Sequence, residues 1–313
     1  MLGVSPKIMP DAAAPTLSGP SDASAPPSAP ALSGPFEAAA KKMAPVVRDL
    51  LVDNADPSTV PIDVLLTALG RHTHGARKAA CEGDVMQIES LLSPEACAKL
   101  RHAVDQTRST EADSVDQGPE HQLNLSRERL TSLLGEKECR KIWELPLAYR
   151  RWRRMQPSMQ PSGSNNDMDE QGIAAEEEPP PPPEPITDEE AAEEALSLKE
   201  CFIRRYAADE RPFITFHPDA YQVTVNIALS ADADHGGGRL LGLFNGKVQA
   251  LVRPEGGATI HSSQLLHAVS RMTDGIRYSL IAFFDRAPRN GSHPYRWTEQ
   301  RWGGGQNNAR WWE

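Results

Sequence analysis

Short alternations of apolar and polar residues dominate the chain between Lys199 and Arg286. Eight runs show the pattern, with Gly, Pro, Asn or Asp between most of them: CFIRRY, PFITF, YQVTVNIALS, RLLGLF, KVQALV, GATIHS, LLHAV and IRYSLIAFF. A period of two over four to eight residues is typical of β-strands with one buried face. About eight short strands with almost no helix between them predict a sandwich or barrel, and a jelly roll fits best.

Two of these runs carry more specific predictions. In YQVTVNIALS the alternation places Val223 and Val225 on one face and Thr224 and Asn226 on the other. Between RLLGLF and KVQALV stands Asn245-Gly246, a strong signal for a two-residue hairpin turn.

Helical patterns precede the strands. Residues 36–70 contain two amphipathic helix candidates, FEAAAKKMAPVVRDLLVD and PIDVLLTALG. After a predicted strand in GDVMQIESLL, Ser93 followed by Pro94 predicts the start of a helix, and Ser126 predicts the start of another that Gly135 ends. KECRKIWELPLAYRRWRR is a further, basic helical stretch. The fold class predicted is α+β and mainly β, a double-stranded β-helix (jelly roll) core with N-terminal support helices.

Composition divides the chain into segments. We expect a disordered Ala/Pro/Ser-rich segment at 1–35, a helical segment at 36–79, one main domain at 80–288 and a C-terminal tail at 289–313. Residues 155–198 hold twelve Asp and Glu and no Lys or Arg, with five prolines at 179–183. Because like charges repel and Pro-rich segments stay extended, the sequence predicts a mobile acidic insertion at 155–195.

Charge and cysteine content limit the classes of partner. The formal net charge of −10 argues against nucleic acid as the main partner. The four cysteines are far apart and form no CxxC pair, which favours reduced thiols in an intracellular protein. No apolar run approaches the length of a membrane span, so no membrane partner is expected. A cytoplasmic location is expected, since no secretory signal is visible and Asp11 and the scarcity of Arg weigh against an organelle transit peptide.

His217-Pro218-Asp219 is the first candidate for chemistry. Residues i and i+2 of an extended chain point to the same side, and Pro218 biases His217 toward extended conformations. An imidazole and a carboxylate can therefore reach one metal ion. A lone His-x-Asp is a weak signal, because a chain with nine His has roughly one chance in two of containing that pattern by accident.

His267 and Arg277 add two independent features. A lone His in the apolar run LLHAV is more often a core residue than a ligand. Arg277 and Ser279 share one strand face among apolar residues, where an arginine is costly unless an anion pairs with it. The planar guanidinium suits a carboxylate, and the Ser279 hydroxyl can add one hydrogen bond.

The order of these residues is much more specific than any one of them. Two His and one carboxylate leave three coordination positions open, as in non-haem Fe(II) oxygenases. The pattern begins with His217-x-Asp219, continues with His267 and ends with Arg277 ten residues later. It resembles the Fe(II)- and 2-oxoglutarate-dependent dioxygenases, and within them the prolyl 4-hydroxylase-like group. The resemblance covers residues 199–287 well and extends more loosely to 80–149.

The resemblance implies a set of site residues and cofactors. The metal ligands and catalytic residues implied are His217, Asp219 and His267, binding Fe(II). Arg277 and Ser279 would meet the far carboxylate of 2-oxoglutarate, the cosubstrate. Tyr206, in the strand before the metal dipeptide, resembles a tyrosine that often touches the cosubstrate in the family. Ascorbate is implied as reductant, O2 as co-reactant, and succinate and CO2 as products.

Four positions need separate comment. Collagen-type prolyl hydroxylases usually carry Lys where Arg277 stands, and Pro218 is not their usual spacer, which weakens proline as the substrate. His261, in TIHSS, could be mistaken for the metal ligand, but the spacing to Arg277 favours His267. His235, in DHGGG, is interpreted as a turn residue.

Two further interpretations compete with an oxygenase. The leading hypothesis is a dioxygenase that hydroxylates a peptidyl side chain, proline included, with a protein or small molecule as substrate. The alternative is a non-catalytic metal-binding jelly-roll interaction module, since fold alone does not separate the two. A third hypothesis makes the N-terminal helices and the acidic insertion a scaffold. The intact set of two His, Asp and Arg favours the enzyme.

Overall fold

The structure, a computed structural model, describes residues 30–71, 83–156, 196–244 and 246–286. The predictions for residues 1–29, for most of the insertion at 155–195 and for the tail at 289–313 fall outside these ranges.

The described residues form six α-helices and twelve β-strands. The helices are α1 Gly34–Lys42, α2 Pro45–Leu51, α3 Ile62–Ala68, α4 Pro94–Gln106, α5 Arg127–Leu134 and α6 Glu136–Met155. The strands are β1 Val85–Ile88, β2 Gln122–Asn124, β3 Ser197–Ala207, β4 Ile214–His217, β5 Val223–Ala228, β6 Gly236–Gly237, β7 Leu240–Phe244, β8 Lys247–Leu251, β9 Ala258–Ser262, β10 His267–Val269, β11 Met272–Asp274 and β12 Ile276–Asp285.

All strand pairs are antiparallel and belong to three sheets. A six-stranded sheet has the order β1-β9-β5-β12-β3-β2, a four-stranded sheet has the order β4-β10-β7-β8, and β11 pairs with β6. β7 and β8 pair with Phe244 opposite Lys247, the register of a two-residue turn, although Asn245 itself is outside the described residues. The fold is therefore mainly antiparallel β with six helices in the described residues.

Helices α4, α5 and α6 pack on one face of the six-stranded sheet. Val223, Val225 and Ile227 of β5 join the side chains of these helices in one apolar cluster. Thr224 and Asn226 are buried on the opposite face of β5, so the predicted alternation is confirmed. Full burial of an aliphatic side chain such as Ile227 contributes about 1.5–3 kcal/mol to stability. A shift of β5 by one residue would turn these side chains to the other face, so their burial fixes the pairing register of the strand.

Helices α1, α2 and α3 pack against residues of the four-stranded sheet. Phe36 and Leu50 share a cluster with Leu241, Leu243 and further residues of that sheet and its neighbours. Both sheets thus have helices on one face, and the polar side chains of β5 lie on the face away from α4–α6.

Helix boundaries follow the predicted caps in two cases. The Ala96 N–H donates to Ser93 Oγ at 3.2 Å, and the Arg129 N–H donates to Ser126 Oγ at 3.1 Å. Gly135, with φ of 83°, ends α5, and α6 follows at once. A side-chain cap of this kind is worth about 1 kcal/mol.

One helix prediction was wrong. The run FEAAAKKMAPVVRDLLVD forms two helices, α1 and α2, rather than one. Met43 and Ala44 between them are extended, with ψ of 142° and 146°. Pro45 is the physical reason, because its ring disfavours a helical residue before it and it has no N–H to continue a helix.

Two further findings concern thiols and membranes. Cys97, Cys139 and Cys201 are buried free thiols, while Cys81 lies outside the described residues. None of the helices in the described ranges is both long and apolar enough to span a bilayer.

Candidate metal centre and anion pocket

Two histidines stand opposite each other across a pair of strands. His217 is the last residue of β4, His267 is the first of β10, and the antiparallel register pairs them directly. Their ring centroids are 4.5 Å apart. Asp219 follows two residues later, where its N–H donates to the Ser263 carbonyl at 2.8 Å. Backbone pairing thus brings together the three side chains that the sequence separates by up to 50 positions.

The three side chains form a compact set of ligand atoms. All three atoms lie within 4.8 Å of one another. His217 Nε2 is 3.7 Å from Asp219 Oδ1, and His267 Nε2 is 3.6 Å from Asp219 Oδ2. Metal bonds to imidazole nitrogen and carboxylate oxygen are about 2.0–2.2 Å long, so one ion between these atoms can reach all three. Within the described ranges this is the one group of three such residues found.

Backbone carbonyls fix the tautomer of both imidazoles. His217 Nδ1–H donates to the Thr215 carbonyl at 2.7 Å, and His267 Nδ1–H donates to the Leu265 carbonyl at 3.0 Å. Each Nε2 therefore keeps its lone pair, as a metal ligand requires. Asp219 is held in turn by the Thr224 hydroxyl, which donates to Oδ2 at 2.5 Å.

The electrostatics of the set agree with metal binding. Burial, followed by the neighbouring His267, lowers the pKa of His217 to about 4, so this imidazole is neutral at neutral pH. Burial raises the pKa of Asp219, but the nearby His267 and His217 outweigh this effect. The pKa of Asp219 therefore lies below its usual range. His217 therefore offers a neutral imidazole and Asp219 an ionised carboxylate, the forms that bind a divalent metal.

Arg277 and Ser279 form a candidate anion site on β12. Arg277 is 1% exposed and Ser279 is 0% exposed. Among the described residues, Arg277 Nε and Nη2 and the Ser279 hydroxyl have no hydrogen-bond partner. Tyr206 stands opposite Arg277 in β3, with its ring centroid 4.9 Å from the guanidinium carbon. Burial and then Arg253 lower the pKa of Arg277 to about 10, so it stays charged at neutral pH.

Other buried arginines of the same region are paired with carboxylates. Arg204 reaches Asp113 at 2.6 Å, Arg211 reaches Asp116 at 3.0 Å, and Arg253 reaches Asp232 at 3.1 Å. No such ion pair is found for Arg277 within the described residues. A buried guanidinium with free donors is costly, and a bidentate carboxylate is the partner that its geometry fits best.

An apolar cluster adjoins both the candidate metal centre and the candidate anion site. Ile214 and Val269 form the strand pair beside the two histidines, and both belong to the cluster that contains Tyr206. Leu240 and Met272 complete its buried members. Exclusion of water by this cluster strengthens each polar contact beside it.

His261 lies next to the metal centre without joining it. It is 1% exposed, its ring is 5.0 Å from that of His267, and its Nε2 has no partner among the described residues. His267, not His261, supplies the third atom of the compact set.

Sequence reasoning missed an ionic network beside the site. The buried pairs Arg204–Asp113 and Arg211–Asp116 connect β3 and the residues after it to the segment between α4 and β2. Arg211 Nη1 also donates to the Pro119 carbonyl at 2.8 Å. The partners are about 90 residues apart in the chain, so no local pattern reveals them. The sequence did indicate Thr224, by contrast, since the alternation in YQVTVNIALS places it on the polar face of β5.

Comparison with known proteins gives two negative results. No protein-family model matches the chain, and no curated protein matches its sequence.

Solved structures of 2-oxoglutarate- and Fe(II)-dependent oxygenases, including prolyl 4-hydroxylases, are similar to the chain. The viral collagen prolyl hydroxylase vCPH of Paramecium Bursaria Chlorella virus-1, in its 2OG complex, is 12% identical, covers 65% of this chain and 97% of its own, and has a TM-score of 0.40. A prolyl-4-hydroxylase of Pseudomonas putida is 13% identical over 68% of this chain and 98% of its own, with a TM-score of 0.40. EvdO2 of Micromonospora carbonacea, complexed with 2-oxoglutarate, is 15% identical, covers 72% of this chain and 96% of its own, and has a TM-score of 0.42. The similarity is weak, so the chemistry of the site rests on its own residues.

Proposed function

We propose that the protein is an Fe(II)- and 2-oxoglutarate-dependent dioxygenase built on a double-stranded β-helix. Support for the fold comes from strand order. Along the chain β3, β5, β9 and β12 enter one sheet, while β4, β7, β8 and β10 enter the other. This alternation of strands between two antiparallel sheets fits a jelly roll. The oxygenase domain is assigned to residues 80–288, with 36–79 as a supporting helical segment.

The metal is assigned to His217, Asp219 and His267. Fe(II) held there would supply the activation of O2 that is coupled to decarboxylation of 2-oxoglutarate to succinate and CO2. The protein's part is to keep each Nε2 deprotonated through the Nδ1–H bonds to backbone carbonyls. Thr224 orients the Asp219 carboxylate.

The far carboxylate of 2-oxoglutarate is assigned to Arg277 and Ser279. The guanidinium offers Nε and Nη2, and the serine offers its hydroxyl. Tyr206 packs on the guanidinium and limits where it can move. The apolar cluster around Tyr206 keeps water from competing for these donors.

The substrate class proposed is a peptidyl side chain, with proline among the candidates. The product would carry a new hydroxyl group, and ascorbate is proposed as the reductant that keeps the iron as Fe(II). The observation that carries the whole proposal is the unpaired buried Arg277, joined through one apolar cluster to a compact His-Asp-His set. A metal that only activates water needs no such guanidinium.

Succinate release tests the proposal directly. Purified protein with Fe(II), ascorbate and 2-oxoglutarate is assayed for succinate over a library of peptides and small molecules. We expect slow turnover without substrate and a marked increase with a matching peptide. Anaerobic titration of 2-oxoglutarate into the Fe(II) protein, followed by metal-to-ligand absorbance, tests binding separately. Metal binding without 2-oxoglutarate binding or turnover would instead support the non-catalytic module.

A further inference from the structure

His235 lies beside Arg277, and its imidazole is fully buried. It follows a 3-10 turn at Asp232–Asp234 and begins the glycine-rich segment His235–Gly238. An added Cβ on Gly275, two residues before Arg277, would meet His235 Cβ at 3.0 Å. The interpretation of His235 as a turn residue is therefore incomplete, because its ring faces the interior.

Gly238 lets the imidazole and the guanidinium approach each other. Its φ of 64° is in the left-handed region that favours glycine. A Cβ there would meet Met272 Sδ at 2.3 Å, Arg277 Cδ at 3.2 Å and His235 Cε1 at 3.4 Å. The two basic side chains thus flank the same glycine.

The two imidazole nitrogens of His235 have different surroundings. Nδ1–H donates to the Gly237 carbonyl at 3.1 Å. Nε2 is buried and has no hydrogen-bond partner among the described residues. The nearest carboxylate is Asp232, with Oδ1 at 3.9 Å from Nε2, beyond hydrogen-bond reach. Because Nδ1 already donates, Nε2 can donate as well only when the ring is protonated.

Charged groups of both signs surround the ring. Arg277 on β12 and Arg253 after β8 are positive, and Asp232, which is paired with Arg253, is negative. Asp234 lies on the same turn as Asp232, and Asp274 of β11 stands opposite Gly236. Burial and then Arg277 lower the pKa of His235, so without a ligand the ring is neutral at neutral pH.

We propose that His235 is a further cosubstrate-binding residue: when the far carboxylate of 2-oxoglutarate binds Arg277, His235 Nε2 takes up a proton from solvent and donates a hydrogen bond to that carboxylate. The inference rests on the proposed function, because it concerns the same carboxylate of 2-oxoglutarate that the proposal assigns to Arg277 and Ser279. A carboxylate within reach of Nε2 favours the imidazolium and supplies the partner that this nitrogen lacks.

Binding is then linked to one proton. The ring is neutral in the free protein and charged in the complex, so affinity falls as pH rises between its two pKa values. The slope reaches at most about tenfold in affinity per pH unit for a single proton. Burial lowers the pKa values of His217 and His261 to about 4, so neither titrates between pH 6 and 8. The carboxylates of 2-oxoglutarate also stay ionised there.

The test measures 2-oxoglutarate affinity between pH 6 and 8 on protein saturated with Fe(II) under anaerobic conditions. Calorimetric titration in two buffers of different ionisation enthalpy counts the protons taken up. We expect proton uptake and falling affinity with pH in the wild type, and neither in His235→Gln. His102→Gln, a change at an exposed position of α4, should keep both. Glutarate, titrated into metal-free protein, shares the far carboxylate without the keto group and should show the same pH dependence.

The outcomes separate this inference from the proposed function. If the wild type binds 2-oxoglutarate with no proton uptake and with a pH-independent affinity, the role of His235 is wrong while the oxygenase proposal stands. A pH dependence retained in His235→Gln also overturns it. If 2-oxoglutarate does not bind at any pH, both proposals fail. The wild-type proton count needs no variant, so poor folding of His235→Gln leaves the test intact.

Discussion

Thr224 on β5 donates a 2.5 Å hydrogen bond to Oδ2 of Asp219, just beyond β4. This contact joins the six-stranded sheet to the metal centre at the end of the four-stranded sheet. The Thr224 oxygen also lies 3.1 Å from Ser263 Oγ, and the Ser263 carbonyl accepts from the Asp219 N–H. Asp219 is therefore held through its carboxylate by Thr224 and through its backbone by Ser263.

We expect Thr224→Val to weaken Fe(II) binding by about 10–100-fold, the usual effect of removing a residue that orients a metal ligand. The valine keeps the shape of the side chain but cannot hold Oδ2. Fe(II) affinity is measured anaerobically by competition with a chelator of known affinity.

Thr259→Val is the matched control for that variant. Thr259 is equally buried on β9, but its hydroxyl donates to the Asn226 carbonyl and not to a metal ligand. Its Fe(II) affinity should equal that of the wild type. Equal losses in the two variants would show that the effect comes from general destabilisation.

Single alanine substitutions at His217, Asp219 and His267 should each abolish turnover and weaken Fe(II) binding, because each removes one of three atoms around the ion. His261→Ala should be far milder, since its ring lies beside the set and not in it. Bound iron is measured after equilibrium dialysis. Iron retained by His267→Ala and lost by His261→Ala would reverse the ligand assignment.

Arg277→Ala should spare Fe(II) binding and weaken 2-oxoglutarate binding. Loss of a shielded, charge-assisted pair costs about 2–5 kcal/mol, or roughly thirty- to several-thousand-fold in affinity. Arg277→Lys should be intermediate, because a point charge keeps the attraction without the planar fork. The measurement is anaerobic titration of 2-oxoglutarate. Wild-type affinity in Arg277→Glu would show that the carboxylate binds elsewhere.

Phe36→Ala should detach α1 from its support and lower the free energy of unfolding by about 3–5 kcal/mol. The Phe36 ring is 6% exposed and meets the Phe213 ring edge-on at 5.5 Å. Urea unfolding followed by circular dichroism measures the change. Val64→Ala, at a 49% exposed position on α3, should stay within about 0.5 kcal/mol of the wild type. An unchanged midpoint for Phe36→Ala would mean that α1 adds nothing to the stability of the fold.

Local patterns were enough for most of the strands and for the polar face of β5, but β2, β6 and β11, of two or three residues each, are too short to show a period and were missed. A period of two is a property of neighbouring residues, so Thr224 and Asn226 could be assigned to one face from sequence. The helix starts at Ser93 and Ser126 were equally local, since each cap bonds a backbone N–H three residues away. The break at Pro45 was equally local, because a proline disfavours a helical residue before it and cannot continue a helix.

Distant pairings were beyond a single sequence. The spacing in His217-x-Asp219 put two ligands on one side of an extended chain, but the register that sets His267 opposite His217 depends on how two strands distant in sequence, β4 and β10, pair within one sheet. The Arg211–Asp116 bond joins residues 95 positions apart. The burial of the His235 ring likewise depends on β12 passing beside a glycine-rich turn. Such contacts follow from the global topology, which no short motif encodes.

Burying the Arg277 guanidinium with Nε and Nη2 unbonded and no carboxylate beside it among the described residues costs the folded protein stability. A ligand that binds only the folded chain raises unfolding free energy, by about 2.7 kcal/mol at a concentration of 100 times its dissociation constant. The cosubstrate would then act as a missing structural element, and the melting temperature would rise with the 2-oxoglutarate level around the protein. Resistance to unfolding, and with it the lifetime of the chain against proteases, would follow the supply of a small metabolite.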